Sequence, residues 1–221
     1  MIWILLAAAA GNPPPGGWCS LSEIPGLQLS IGYATAQNFT GTILPGYGSA
    51  SAWLSCPAAE ALARVHLTLA PQAYGIVVFD AYRPVRASQG MVAWAERTGN
   101  SWVIDQGFVA PASGHNRGHT VDVGLYNLGS GTIVDMGTPW DSFTAAAATA
   151  AAASSEVADR RRALTAAMAA QGFVNYAKEW WHFSRPGDAQ PALDVPYGAC
   201  EPAAFAKLTP NDPGWIGVAC P

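Results

Sequence analysis

Two strand-forming runs and the hairpin turn that follows the second are the features that most limit how this chain folds. Residues 74–80 have the β-branched and aromatic composition of a buried strand, and residues 119–126 place apolar side chains on one face of a strand and Thr120, Asp122 and Gly124 on the other. A glycine-containing turn at 127–131 leads the second run into residues 132–135, which predicts a hairpin. Strands and helices are mixed without a regular βαβ repeat. The pattern therefore predicts an α+β domain with a mainly antiparallel sheet flanked by helices.

Apolar residues at helical spacing identify three helices. The predicted helices cover residues 58–70, 84–97 and 154–171. The first carries His66 on its apolar stripe, which favours a core histidine over a ligand. In the third, Ser155 is the expected N-cap and Gly172 follows the last helical residue.

Three further segments have less regular patterns. Residues 173–184 are predicted to be a third strand region. The alanine tract at 145–153 is compatible with the start of a helix or with a loosely ordered insertion. Residues 186–221 contain seven prolines and are expected to form an irregular tail.

Composition limits both the class of protein and its partners. A chain of 221 residues with 50% hydrophobic residues can bury one substantial core. The net charge is −4 and only 12% of residues are charged, so the chain lacks the basic surface that nucleic-acid binding needs. The one basic cluster, at residues 160–162, falls inside a helical pattern and is interpreted as a solvated face.

The N-terminus predicts export. Residues 1–10 form an apolar run that ends in alanines, as in a secretory signal peptide, although no Lys or Arg precedes it. The run is too short to cross a bilayer, so no stable membrane insertion is expected. We divide the chain into a signal peptide and linker (1–18), one domain (19–195) and a tail (196–221). The predicted location is secreted or periplasmic, with the cytoplasm as the alternative.

Four scattered cysteines agree with export. Cys19, Cys56, Cys200 and Cys220 include no closely spaced pair typical of a metal cage or redox motif. An even number of cysteines in an exported chain suggests two disulfides, for which three pairings are possible. The favoured pairing joins Cys19 to Cys56 and Cys200 to Cys220. In a reducing compartment the same residues would be free thiols.

The segment from Ser113 to Asp122 combines histidines, glycines and a carboxylate. A catalytic zinc ion takes three protein ligands and keeps one position for water. Gly118 lets the chain fold back, so that His115 and Asp122 could reach one ion. Asp122 points away from the apolar face of its strand, where an unpaired charge is costly. Alone, this segment fits either a metal site or a polar turn.

A second histidine and carboxylate occur in the sequence Glu179-Trp-Trp-His182. His182 could complete a zinc site of two histidines and one aspartate, with Glu179 accepting the proton of a water. Strict strand alternation places Glu179 and His182 on opposite faces, so a bulge or turn between them is required. The alternative is a tryptophan-rich core strand with a salt-bridged glutamate.

The third polar segment, Asp80-Ala-Tyr-Arg83-Pro84, ends the first predicted strand. An arginine at this place could open into a crevice and stabilise the oxyanion of a tetrahedral intermediate. The alternative is a surface pair between Asp80 and Arg83, which would contribute little to stability.

Together these segments resemble the D-Ala-D-Ala dipeptidases of the VanX type, within the zinc D-peptidase superfamily that includes hedgehog-like and lysostaphin-like folds. The motifs that carry the resemblance are Ser113-x-His115-x-x-Gly118-x-x-x-Asp122 and Glu179-x-x-His182, with Tyr33-Ala-Thr, Asn38-Phe-Thr-Gly41, Asp80-Ala-Tyr-Arg-Pro84, Met136-Gly137 and Asp141. They occur in the family's order between about residue 27 and residue 183. The resemblance implies a single zinc ion in a cleft on the sheet and hydrolysis of the D-alanyl-D-alanine dipeptide.

The resemblance also implies a role for each matching residue. Zinc would be bound by three ligands, namely His115, Asp122 and His182. Glu179 would be the general base and later the acid, and Arg83 would stabilise the oxyanion. Tyr33, Ser113 and Asp141 would line the pocket, with Asp141 facing the substrate's ammonium group.

The chain departs from this pattern at two neighbouring positions. Thr120 stands where the superfamily usually has alanine, and His119 stands where the dipeptidases tend to have a smaller residue. His119 could compete for metal or alter the pocket. Two other functions remain open at this point. One is a D,D-carboxypeptidase or L,D-endopeptidase with the same metal site in an open cleft, and the other is a cell-wall peptide-binding module without catalysis.

Overall fold

A five-stranded sheet lies at the centre of the computed structural model, which describes residues 16–151, 154–198 and 215–217. The strands are β1 (Trp18–Ser20), β2 (Gln28–Leu29), β3 (Trp53–Ser55), β4 (Tyr74–Asp80), β5 (Thr120–Asn127), β6 (Val174–Asn175), β7 (His182–Ser184), β8 (Ala192–Asp194) and β9 (Trp215–Gly217). The helices are α1 (Cys56–Leu69), α2 (Val85–Arg97), α3 (Trp102–Asp105) and α4 (Ser155–Ala170).

The central sheet has the strand order β2-β4-β5-β7-β6. Strand β2 runs parallel to β4, and the other three pairs are antiparallel. The predicted α+β domain with a mainly antiparallel sheet is therefore confirmed. The strands β1 and β3 form a separate antiparallel pair, and β8 and β9 form a parallel one.

The two predicted strands β4 and β5 form the middle of the sheet and meet at its functional end. Their register aligns Asp80, the last residue of β4, with Asp122 near the start of β5, after an irregularity between Val78 and Asp80. Both strands are almost completely buried. A side chain at Gly124 would come within 2.8 Å of the Phe79 ring, so this close packing of β4 on β5 requires glycine.

Helices α1 and α4 pack against each other, and they contact β4 and β5 respectively. The predicted apolar stripe of α1 is confirmed, because Leu62, Val65, His66 and Leu69 are buried. Helix α4 begins one residue earlier than the predicted cap implies. Ser154, not Ser155, is the N-cap, since its extended backbone lets its hydroxyl accept a hydrogen bond from the Val157 N–H.

The interpretation of the basic cluster at residues 160–162 as a solvated face is wrong for Arg161, which lies in α4. Its side chain is buried and donates to the backbone carbonyls of Met136, Ala146 and Ala148. Three consecutive residues on a helix span about 200° of its circumference, which leaves room for one of them to face inward. Arg161 therefore fastens the loop between β5 and α4 to the helix.

Three segments differ from the predicted secondary structure. Residues 173–184 form two short strands, β6 and β7, separated by a turn. The predicted hairpin turn is present, since Gly131 N–H donates to the Asn127 carbonyl, but residues 132–135 make only an isolated bridge between Ile133 and Tyr126. Within the alanine tract, Ala145–Ala147 form one 3-10 turn.

The described part of the C-terminal region is more regular than predicted. Strand β8 lies within it, and Tyr197 is completely buried against Tyr47, Trp53 and Tyr82. The division of the chain at residues 18 and 195 stays a prediction. None of the helices in the described ranges is long and apolar enough to span a bilayer.

A disulfide joins Cys19 of β1 to Cys56, the first residue of α1, as predicted. It connects the pair of strands β1 and β3 to helix α1. The pairing predicted for Cys200 and Cys220 and the signal peptide predicted for residues 1–10 both lie outside the described residues.

Candidate active site

Three side chains converge where β4 ends and β5 begins. His115, Asp122 and His182 each offer one ligand atom, and these atoms all lie within 4.8 Å of one another. The Oδ1 atom of Asp122 is 3.4 Å from His115 Nε2 and 3.1 Å from His182 Nδ1. The two ring nitrogens are 3.4 Å apart. The structure thus brings together the three residues predicted as metal ligands.

Local structure explains the convergence. Asp122 and His182 are direct partners in the antiparallel ladder of β5 and β7. His115 lies in the 3-10 turn Gly114–Arg117, and its N–H donates to the hydroxyl of the capping residue Ser113. Gly118 ends this turn in the left-handed region at φ +65°, and a side chain there would collide with the Trp18 ring.

The hydrogen bonds of His115 leave one ring nitrogen available. Its Nδ1 lies 2.7 Å from the Ala81 carbonyl, which can only accept, so Nδ1 carries the proton and Nε2 keeps its lone pair. That lone pair faces Asp122, whose buried Oδ1 has no hydrogen-bond partner of acceptable geometry among the residues that the structure describes. An orphaned carboxylate oxygen beside two imidazole nitrogens fits a bound cation.

Charge and burial compete in setting the pKa values of these ligands. Burial alone would raise the pKa of Asp122, but the nearby imidazoles of His115 and His182 hold it well below its ordinary range. Burial lowers the pKa of His182, which favours its neutral form. A carboxylate and neutral imidazoles are the protonation states in which these groups bind metals.

Glu179 lies in the turn between β6 and β7, and its Oε2 is 3.5 Å from His182 Nδ1. The turn is held by a hydrogen bond from Glu179 N–H to the Tyr176 carbonyl, and this is the turn that the strand alternation required. Burial, with smaller contributions from Asp122 and Asp141, raises the pKa of Glu179 to about 9. A nearby cation would oppose that shift.

Arg83 is buried and lines the same cavity as the three candidate ligands. Both its Nε and Nη2 atoms lie 2.9 Å from Asp80 Oδ2, and Nη2 lies 3.9 Å from Asp122 Oδ2. The alternative of a surface pair between Asp80 and Arg83 is therefore wrong, because the folded chain encloses both residues.

The predicted pocket residues surround a cavity of about 290 Å³. Tyr33, Ser113 and Asp141 all line it, and the Tyr33 hydroxyl donates to Asp141 Oδ2 at 2.8 Å. Burial raises the pKa of Asp141 well above its usual range. Asp141 has a left-handed backbone at φ +59°, which is uncommon for a non-glycine residue.

Several residues at the site were not singled out by sequence reasoning. Trp140 Nε1 donates to Asp122 Oδ2 at 3.3 Å, and Asn116 Nδ2 donates to the Arg83 carbonyl at 2.8 Å. Trp140 precedes Asp141 and Asn116 follows His115, so adjacency to a matched residue was the available signal. The ring of His119, in contrast, lies outside the group of three candidate ligands, and its Nδ1 has no partner within the described residues.

Comparison with known proteins matches the chain to one family. Residues 20–200 match the family model Peptidase_M15, described as D-Ala-D-Ala dipeptidase. A D-alanyl-D-alanine dipeptidase of Enterococcus faecium is 34% identical over 182 residues, which cover 76% of this chain and 90% of that protein. The D-alanyl-D-alanine dipeptidase of Streptomyces coelicolor is 32% identical over 182 residues, with the same coverage of both chains. That of Escherichia coli is 33% identical over 177 residues, which cover 80% of this chain and 88% of that protein.

The family match and these relatives define the chain as a peptidase. Its described residues include a His/Asp/His group able to hold a metal ion, at the positions given above. The chain belongs to the Peptidase_M15 family.

Proposed function

We propose that this protein hydrolyses D-alanyl-D-alanine to two molecules of D-alanine with the help of one zinc ion. The observation that carries the proposal is the convergence of His115, Asp122 and His182, with Glu179 Oε2 3.5 Å from His182. Similarity to three dipeptidases of this specificity over most of the chain supports the choice of substrate.

The donor set suits zinc better than other common ions. Two imidazole nitrogens and one carboxylate are typical ligands of a catalytic zinc site, whereas calcium and magnesium prefer oxygen ligands throughout. The chemistry that zinc supplies in such a site is the acidification of a water molecule and the polarisation of a carbonyl group. His115, Asp122 and His182 would hold the ion.

The remaining side chains carry out proton transfer and orientation. Glu179 takes the proton from the attacking water and passes it to the leaving amine. Arg83 donates hydrogen bonds to the developing oxyanion. Asp141, held by the Tyr33 hydroxyl, faces the ammonium group of the dipeptide, and Ser113 lines the same pocket. The small cavity favours a free dipeptide over a longer stem peptide.

Turnover combined with metal analysis tests the proposal. Wild-type protein and Glu179→Ala are each loaded with zinc and assayed for D-alanine release from D-Ala-D-Ala. We expect near-stoichiometric zinc in both proteins and hydrolysis only by the wild type. The exposed Glu60→Ala is the control and should retain full activity. Activity surviving in Glu179→Ala would remove that residue from its role as the base.

A second substrate separates the dipeptidase from its closest alternative. We expect the wild type to cleave D-Ala-D-Ala and to leave a pentapeptide stem ending in D-Ala-D-Ala intact. Equal or faster release of D-alanine from the pentapeptide would favour a D,D-carboxypeptidase.

We also propose that the protein acts outside the cytoplasm, secreted or in the periplasm. The disulfide between Cys19 and Cys56 supports this location, because such bonds persist mainly in oxidising compartments. Fractionation of expressing cells, with the redox state of Cys19 measured by thiol labelling, tests it. Reduced protein confined to the cytoplasm would contradict the proposal.

A further inference from the structure

Asp80 is a completely buried carboxylate that backs the candidate active site without lining its cavity. It ends β4 directly opposite Asp122 in the strand ladder. Its Oδ1 accepts a hydrogen bond of 2.5 Å from the Tyr47 hydroxyl, and its Oδ2 contacts Arg83 and, at 3.4 Å, His115 Nδ1. All of these neighbours are themselves buried.

The contacts of Arg83 show what Asp80 does to it. Two guanidinium nitrogens, Nε and Nη2, face Asp80 Oδ2 at 2.9 Å, which fixes the plane and direction of the group. Within the described part of the chain, the third nitrogen, Nη1, has one hydrogen-bond partner, the weak acceptor Met91 Sδ at 3.5 Å. Arg83 therefore keeps donors available for a ligand in the cavity that it lines.

Asp122 is the competing partner of Arg83. Its Oδ2 lies 3.9 Å from Arg83 Nη2, at the limit of an ion pair. If Asp80 lost its charge, Asp122 would be the nearest anion, and a short rotation would bring the guanidinium onto it. That movement would withdraw the arginine from the cavity and engage a candidate metal ligand at the same time.

We propose that Asp80 is a positioning residue that holds Arg83 away from Asp122 and directed into the cavity. The inference rests on the proposed function of the site, because it assigns Arg83 to the oxyanion. It predicts two effects of Asp80→Asn, which keeps the size of the side chain. One effect is on turnover, and the other is on zinc affinity, which can be measured without any substrate.

The test compares Asp80→Asn with Asp194→Asn in zinc-saturated protein. Asp194 is the matched control, because it is also buried and paired with an arginine, Arg86, at 2.9 Å, but it does not line the cavity. For Asp80→Asn we expect kcat for D-Ala-D-Ala to fall roughly 10- to 100-fold, with KM changed less than about twofold. Chelator competition should show zinc binding weakened about 10-fold. Asp194→Asn should change neither quantity.

A second background separates positioning from a general structural effect. In Arg83→Met protein there is no guanidinium to misplace, so adding Asp80→Asn should change kcat and zinc affinity less than about twofold. Tyr47→Phe removes one hydrogen bond to Asp80 and provides a milder variant should Asp80→Asn fail to fold. It is expected to lower kcat roughly 2- to 10-fold.

Wild-type kcat and zinc affinity in Asp80→Asn would overturn the inference, as would an undiminished effect in the Arg83→Met background. If the wild type does not hydrolyse D-Ala-D-Ala, the proposed function fails, and the zinc measurements alone decide the role of Asp80.

Discussion

Among the described residues, three carboxyl groups (Asp122, Asp141 and Glu179) and the Arg83 guanidinium line the candidate active site, and a fourth carboxyl group, that of Asp80, lies directly behind it. This excess of acidic groups affects the pKa values of the individual residues. Burial raises the pKa values of Asp80, Asp141 and Glu179, so each is harder to ionise than usual. Asp122 keeps its charge because of the two histidines, and Arg83 lies between Asp80 and Asp122. A divalent cation favours the ionised forms and would relieve the imbalance.

Away from the site, His66 is expected to make stability depend on pH. Its Nδ1 accepts a hydrogen bond of 3.1 Å from the Ile76 N–H, which requires the neutral ring. Burial lowers its pKa in the folded state below 6.5. The unfolded chain therefore takes up a proton first, so stability is retained above pH 6.5 and is lost as the pH falls from there through the lower folded pKa.

The comparison of wild type with His66→Asn checks this effect. Asparagine offers an acceptor oxygen but does not titrate, so the free energy of unfolding of the variant should fall less steeply as the pH decreases below 6.5. Urea unfolding at several pH values measures both slopes. Parallel slopes for the two proteins would mean that His66 does not contribute.

Single residues differed in how far the sequence could predict them. The convergence of His115, Asp122 and His182, with Glu179 beside them, could be predicted, because histidines and carboxylates at such spacing are typical of metal sites. Their chemical roles stay a prediction. The burial of the Asp80–Arg83 pair could not be predicted, because it depends on aromatic residues such as Tyr47 that come from a distant segment.

At the scale of elements, the loop from β5 to α4 depends on Arg161. This loop carries Trp140 and Asp141 into the site, and Arg161 binds three of its carbonyls. Arg161→Met leaves those carbonyls without their charged donor and is expected to destabilise the fold by about 2–4 kcal/mol. KM for the dipeptide should rise, because Asp141 loses its fixed position.

The neighbouring Arg162 provides the control for that prediction. It is exposed, and among the described residues its one ion-pair partner is Asp159, so Arg162→Met should alter the unfolding free energy by no more than about 0.5 kcal/mol. Denaturant unfolding measures the free energy of unfolding of both variants, and dipeptide kinetics measure their KM values. Equal effects of the two substitutions would show that the loop does not need Arg161.

Elements with a strong local pattern were predictable almost to the residue, as β4 and α2 show. The segment at 173–184 was not, because two strands of two and three residues are too short to leave a periodic signal. Their pairing is instead set by β5, which aligns His182 with Asp122. The site therefore depends on long-range pairing that local propensity does not reveal.

For the molecule as a whole, the disulfide between Cys19 and Cys56 is expected to contribute substantially to stability. It closes a loop with a sequence separation of 37 residues, which corresponds to about 3–4 kcal/mol in the chain-entropy account. The double variant Cys19→Ser/Cys56→Ser should lose about that much in denaturant unfolding. A loss below about 0.5 kcal/mol would show that the packing of β1 on β3 suffices without the covalent link.

Zinc binding should stabilise the entire fold, because the ligands are brought together only when β5, β7 and the turn at Gly114–Arg117 are in place. Zinc at about 100 times its dissociation constant adds about 2.7 kcal/mol. For a domain of this size, that corresponds to a rise in Tm of about 5–10 °C. Thermal unfolding of metal-free protein, with zinc and then with excess chelator, measures the rise and its reversal. Asp122→Asn removes the charged ligand and should lose most of the shift, whereas an unchanged shift in that variant would place the bound zinc elsewhere on the protein.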